Sequence, residues 1–347
     1  MIPINMAAYA NKAQVRFMGR YGEPDAFVAN KLGYKEEDLP KYFSPEQVDS
    51  LALAIASGIE GKGFVVGDMT GVGKGRIMAG LISYSIKEYG RCVFVTEKEN
   101  LFKDIYRDLN DIGFEDANIF LVNRGSSIKD DDENILVRSN QKDIVDFEKT
   151  GRLSPEKNLV LLTYSQLNQA QHLSKRAFAL SQIIPHSGLM LDEAHNAAGF
   201  GSNTNLNFLG LVENAPFTVY STATYAKNAD TMAFLSACFP DTVDKKRLPE
   251  TLNAGGADAL LAVGIALTET GSSLVRQHDM TKLEIVNHKN EHSFEKNKVI
   301  SDGIAEITFE LAKFSGELKD STKDFNDDIK KRTEQEERIR KLEAEEA

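Results

Sequence analysis

In "VVGDMTGVGKGR", Val65 to Arg76, an apolar run opens into glycines at positions 71 and 73 and then into Lys74. Glycines let backbone amides turn inward, a following helix adds its positive end, and a lysine supplies a point charge; together these cradle phosphate oxygens. A Ser or Thr that holds magnesium normally follows the lysine, and here that position is Gly75. In "LMLDEAH", Leu189 to His195, a second apolar run ends in two carboxylates, the first 118 residues after Lys74. Asp192 can hold magnesium, directly or through water, and Glu193 can polarise an attacking water as general base at a γ-phosphate. Taken singly, the first segment also fits an ordinary strand-to-helix turn and the second a pair of surface acids. Taken together they point to nucleotide hydrolysis.

Two further segments join them. "STAT", Ser221 to Thr224, closes another apolar run with hydroxyls able to bond His195 or the carboxylates of Asp192 and Glu193. "YFSPEQVDSLALAI", Tyr42 to Ile55, begins a helix at Ser-Pro and carries Gln47, 27 residues before Lys74. A glutamine amide both donates and accepts, as an adenine edge requires.

These residues need a scaffold that brings distant segments to one place. Six short runs rich in branched and aromatic residues read as buried strands: "GFVVGD", "RCVFVT", "NIFLV", "NLVLLT", "GLMLDE" and "FTVYST". Helical periodicity separates them: Ile77, Met78, Leu81, Ile82 and Ile86 share one face, and so do Leu101, Ile105, Leu109 and Ile112. Strand alternating with helix predicts an α/β fold whose parallel sheet is covered on both sides. In such sheets ligands lie beyond the carboxyl ends of the strands. The polar ends of five runs, from Asp68, Thr96, Thr163, Asp192 and Ser221, fall at that rim.

Composition narrows the class. An apolar share of 41% over 347 residues suits a globular chain of about two domains. No uninterrupted apolar run of about eighteen residues occurs, and the first twenty lack the order of a signal peptide, so no membrane partner and a cytoplasmic location are expected. Cys92 and Cys238 lie in apolar contexts and read as buried small hydrophobes. A net charge of −11 means that any nucleic-acid contact has to come from a local surface.

The order Gln47, "TGVGKG", "DEAH", "STAT" resembles the first RecA-like motor domain of superfamily 2 helicases. More closely, "GDMTGVGKGR", "FVTEKENLFKDIYRDLNDIG", "TYSQL" and "LDEAHNA" resemble the strawberry notch family of helicase-like ATPases, whose phosphate loop also reads Gly-Lys-Gly-Arg. The likeness runs from about Tyr42 to Ala233, and weakly through Ser272 to Lys289. It implies a RecA-like P-loop NTPase domain binding ATP and Mg2+. Thr70, Gly71, Val72, Gly73, Lys74, Gly75 and Arg76 would form the phosphate loop, although Arg76 has no derived role, and Gln47 would read adenine. Asp192, Glu193 and His195 would serve metal, water and coupling, with Thr70 or Asp68 as other candidates for the metal. Ser221, Thr222 and Thr224 would link the nucleotide to domain movement. Thr96, Glu97, Lys98 and Asn100, with Thr163, Tyr164 and Ser165, would meet a DNA or RNA backbone without reading sequence.

The expected organisation is a helical extension over residues 1–43, a RecA-like domain over 44–240, a mostly helical accessory region over 241–316 and a charged tail over 317–347. Superfamily 2 motors close a second RecA-like domain over ATP, and its arginines stabilise the transition state. No second phosphate-site series follows Thr224, so that domain is expected in cis, in a longer protein of which this is the N-terminal portion, or in trans. The isolated chain is then expected to hydrolyse ATP slowly. The competing reading is an ATP-regulated interaction module without helicase activity.

Overall fold

The computed structural model describes residues 1–240, 242–245, 247–278, 295–308, 310 and 313. It divides into two compact units, Met1–Asp279 and Met280–Ala347. The first contains α1 (Ile4–Tyr21), α2 (Pro24–Leu32), α3 (Leu39–Tyr42), α4 (Pro45–Ile59), β1 (Phe64–Val66), α5 (Lys74–Tyr89), β2 (Cys92–Thr96), α6 (Leu101–Asp111) and β3 (Ile119–Leu121). It continues through β4 (Ser127–Lys129), β5 (Ile135–Arg138), α7 (Gln141–Thr150), β6 (Leu159–Thr163), α8 (Lys175–Ile183), β7 (Gly188–Asp192), α9 (Asn203–Asn214), β8 (Phe217–Ser221), α10 (Ala229–Phe234), α11 (Leu248–Glu269) and β9 (Ser273–Leu274).

All six runs read as strands form one sheet, with β9 as a seventh member, in the order β3-β6-β2-β7-β8-β1-β9. Every pair in it is parallel. The strands are buried on both faces, which is why they read as continuous apolar runs. Their side chains alternate between two cores. Cys92, Phe94, Leu159 and Leu161 pack with α4, α5 and α6, whereas Val93, Val95, Val160 and Leu162 pack with α7, α8 and α9. Ile77, Met78, Leu81, Ile82 and Ile86 of α5 are all buried in the first of these.

β1 and β2 are consecutive in sequence yet separated by β7 and β8, so the chain crosses over after β1. The register then levels the strand ends: Val66 pairs with Ser221, Ser221 with Asp192, and Thr96 with Thr163. That places the polar termini side by side along one rim. β4 and β5 form a separate antiparallel pair that the sequence reading does not include.

β9 is a second addition. It pairs with β1, and the segment after it returns over the loop that follows β1. Arg276, 5% exposed, donates from Nε to both carboxylate oxygens of Asp68 at 3.1 and 3.2 Å, from Nη2 to Ser50 Oγ at 2.6 Å, and from Nη1 to the Glu46 carbonyl. Asp68 is fully buried. α11, at 22 residues, is the one described helix long and apolar enough to cross a membrane by length and composition. Gly256, at φ 61° and ψ −147°, interrupts it, and Leu248, Leu252 and Leu267 pack into the second core.

Cys92 and Cys238 are free and buried, as expected, and burial pushes both thiols up. In the second unit residues 295–308 are helical, with Ile300, Ile304 and Ile307 exposed. "KLEIVNH" and the charged tail lie outside the described residues.

Removing one partner of a buried ion pair leaves the other charge uncompensated. Arg276→Ala is expected to lower unfolding free energy by about 3–5 kcal/mol, and adding Asp68→Ala to recover part of it. Urea unfolding of both variants checks this; equal stability of Arg276→Ala and wild type would deny the pair its role.

Candidate functional site

The loop after β1 is shaped by two left-handed glycines, Gly71 at φ 89° and Gly73 at φ 92°. Gly73 ends the loop and caps α5 with no side-chain partner for the first helical N–H groups. A helix start left open in this way is an anion site. Lys74 is the first residue of α5, and its Nζ donates to the Asp68 carbonyl at 2.9 Å. The loop is held from outside by Met69 N–H on the Arg276 carbonyl, at 2.8 Å, and by His278 Nε2, 2.9 Å from the Thr70 carbonyl. Val72 N–H closes the turn onto the Met69 carbonyl at 3.3 Å.

Asp192 ends β7 between the ends of β2 and β8. The register therefore lets Thr96 donate to its Oδ2 at 3.3 Å and Ser221 to its Oδ1 at 2.9 Å. Tyr164 adds a bond from its hydroxyl to the Asp192 carbonyl at 2.8 Å. Burial raises the Asp192 carboxyl above its ordinary range, opposed by the Ser221 and Thr96 bonds and by the Lys74 charge. Glu193 follows in the left-handed region, at φ 47° and ψ 50°, a conformation that costs a non-glycine residue about 1–3 kcal/mol and clusters at functional sites. Its Oε2 lies 3.4 Å from His195 Nδ1, and that nitrogen lies 3.2 Å from Thr222 Oγ1. Thr222 Oγ1 is in turn 3.3 Å from Thr224 Oγ1.

The structure thus brings the loop and the carboxylates together. Gln47, Thr70, Gly71, Gly73, Lys74, Gly75, Arg76, Asp192 and Glu193 line one cleft of about 460 Å³. A larger, shallower depression of about 770 Å³ is lined by Glu23, Asp25, Lys35, Glu36 and Glu37, and four carboxylates make it hostile to phosphate. Gln47 is buried rather than exposed: its Oε1 accepts from Ser44 N–H at 2.9 Å in a capping box, and its Nε2 donates to the Gly73 carbonyl at 3.3 Å. Arg76 pairs with Asp111 at 2.8 Å. Asp68 is fully buried with its charge already paired to the Arg276 guanidinium, so it is not free to hold a metal, whereas Asp192 accepts bonds from neutral hydroxyls, lines the cleft and fits one.

Of the backbone-contact set, Thr96, Thr163 and Tyr164 are buried, their polar groups turned inward; Asn123 Nδ2 donates to Thr163 Oγ1 at 2.9 Å. Glu97, Lys98, Asn100 and Ser165 are exposed. Arg276, His278 and Asp108 reach the loop without having been singled out. Arg276 and His278 lie in the weakly similar stretch after Ser272, and Asp108 sits on the polar side of α6, where nothing in the periodicity marks it.

Comparison with known proteins agrees with this geometry. The family model described as P-loop containing NTP hydrolase pore-1 matches residues 33–300. The chain belongs to that family. It is 31% identical over 198 residues to protein strawberry notch homolog 1 of Gallus gallus, covering 50% of this chain and 14% of that protein, and 30% identical to the Homo sapiens homologue, covering 12% of it. The chain therefore spans a small part of these relatives. Among solved structures, the Sulfolobus solfataricus SWI2/SNF2 ATPase core in complex with dsDNA aligns with a TM-score of 0.49 at 14% identity, covering 67% of this chain and 44% of that one. The chain is thus a P-loop NTP hydrolase domain of α/β fold with sequence similarity to strawberry notch homolog 1.

Because the folded state holds the Asp192 proton more tightly than the unfolded chain, ionising it costs stability as pH rises from about 3.9, the ordinary value, to the raised one. Asp192→Asn is expected to match wild type in acid and to melt higher at neutral pH, without metal or nucleotide. A melting series against pH checks this; a variant that melts lower at neutral pH would refute it.

Proposed function

We propose that this chain is the ATP-binding half of a nucleic-acid-dependent ATPase that works with a second RecA-like domain. The observation that carries the reading is the convergence of Lys74, Asp192 and Glu193, from the ends of β1 and β7, on one cleft beside an open helix start. Nothing in the packing of the sheet requires a lysine and two carboxylates there.

In this reading the amides of the loop and Lys74 bind the β- and γ-phosphates. Bound magnesium would neutralise charge on those phosphates, with Asp192 as its holder, directly or through water. Glu193 takes a proton from the attacking water. His195, between Glu193 and Thr222, passes the state of the cleft to the loop after β8. Gln47, bonded to the Gly73 carbonyl, couples the adenine side to the phosphate loop.

The polymer is proposed to cross the exposed loops after β2 and β6. Lys98 and Asn100 lie on the first loop and Ser165 on the second, where Ser165 and Lys175 line a polar depression of about 290 Å³ together with Arg124 and Arg176, both paired with Glu148. These groups suit contact with phosphates rather than with bases. With a net charge of −11, attraction has to be this local. The whole assembly is proposed to act inside the cell.

Lys74→Ala is expected to abolish ATP binding with the fold intact, and Glu193→Gln to retain binding while hydrolysis falls at least about a hundredfold. Calorimetry and phosphate release check both; unchanged affinity or turnover removes the respective assignment. Lys98→Glu with Lys175→Glu, in the chain joined to its second domain, should reduce stimulation by DNA or RNA and leave the unstimulated rate alone. A protein that binds ATP but shows no stimulation by either polymer would instead be an ATP-regulated interaction module.

A further inference from the structure

Gly75 is unusual for its place in a phosphate loop, and the packing around it explains the glycine. A methyl group built on Gly75 would overlap Asp108 Oδ2 and meet Asp108 Cγ at 3.2 Å. A contact this close forces one of the two to shift, so a side chain on residue 75 and the Asp108 carboxylate in its present place exclude one another. The space that a serine or threonine side chain would fill is held by a carboxylate from another helix. That carboxylate lines the same cleft as Lys74, Asp192 and Glu193.

We infer that Asp108 supplies, from α6, the oxygen for magnesium that residue 75 cannot supply from α5. The inference rests on the nucleotide-site reading above. Three observations favour it over simple close packing. The oxygen Oδ2 is the atom nearest to the Cβ that residue 75 would carry, beside the place from which the usual hydroxyl acts. Arg107 approaches the other oxygen, Oδ1, at 3.5 Å and so leaves the Gly75-facing oxygen as the one turned to the loop. Asp108 also lines the one cleft that Lys74, Asp192 and Glu193 share. A second carboxylate near triphosphate would repel it, and a divalent ion between them reverses that sign.

The sign reversal makes the test specific. Asp108→Asn keeps the size of the side chain and removes the charge. With the non-hydrolysable analogue adenylyl imidodiphosphate, the variant is expected to bind metal-free nucleotide as tightly as wild type or more tightly. Its affinity for Mn2+ in the nucleotide complex, read by electron paramagnetic resonance, is expected to fall about 10- to 100-fold, the usual loss when a partner of a metal site is removed. Gly75→Ser combined with Asp108→Ala should restore Mn2+ affinity, because the hydroxyl then has room and function. Wild-type Mn2+ affinity in Asp108→Asn overturns the inference and leaves the phosphate loop standing. Equal loss with and without metal also overturns it, since Asp108 would then only shape the loop. A double variant no better than Asp108→Ala denies that the two oxygens share one place. Failure of the wild-type chain to bind the analogue, with or without Mn2+, would overturn the nucleotide-site reading itself and this inference with it.

Discussion

The buried pair between Asp68 and Arg276 is the contact on which the geometry of the cleft depends. Asp68 opens the phosphate loop, and Arg276 follows β9, more than two hundred residues later. From one guanidinium, bonds reach the loop, the Glu46 carbonyl and the Ser50 hydroxyl of α4. The loop, α4 and the segment after β9 are thereby fixed to one another before any nucleotide enters. The planar fork of arginine suits this role, because it satisfies several acceptors in fixed directions where a lysine would offer a point charge. The backbone bond from Met69 to the Arg276 carbonyl then extends the β1–β9 pairing past the last residue of β1.

Around that anchor the strand ends divide the work. Hydroxyls from β2 and β8 hold Asp192 in place, and the Tyr164 hydroxyl holds its backbone, so the carboxylate is oriented by neighbours on either side. Glu193 departs from the strand through a left-handed residue, which turns the second carboxylate sharply from the first. Two adjacent acids thus serve different roles: one is recessed and bonded by hydroxyls, the other is more exposed and close to His195. Orientation by neutral hydroxyls has a consequence for charge. It leaves Asp192 with only the Lys74 cation acting on it, a state suited to receiving a further cation.

Much of the fold was legible because parallel strands buried on both faces have to be apolar throughout, so all six runs could be seen and a parallel sheet expected, whereas the order of its strands could not. β9 escaped notice because two residues carry no periodicity, and β4 and β5 because they are only three and four residues long, with Ile135 and Leu136 of β5 exposed rather than buried. In the site, Lys74, Asp192 and Glu193 could be found because each stands at a strand–helix or strand–turn boundary with a distinctive neighbour. Thr96 and Thr163 had the right positions for a surface role but point inward, since the last residue of a buried strand still belongs to the sheet, and Tyr164 just beyond β6 turns in to bond the Asp192 carbonyl.

By itself the sequence determined the alternation of strand and helix, the phosphate loop, the carboxylate pair and the rim on which they meet, because these follow from local periodicity and from glycine and charge at fixed spacing. Only the tertiary structure decided which oxygens are free. It assigned Asp68 to Arg276, turned Thr96 and Ser221 toward Asp192, and set the Asp108 carboxylate where a side chain on residue 75 would have been. Each of these is a contact between residues distant in the chain, and which polar group a carboxylate meets is fixed by the packing of whole helices and strands, to which no local pattern in the chain corresponds.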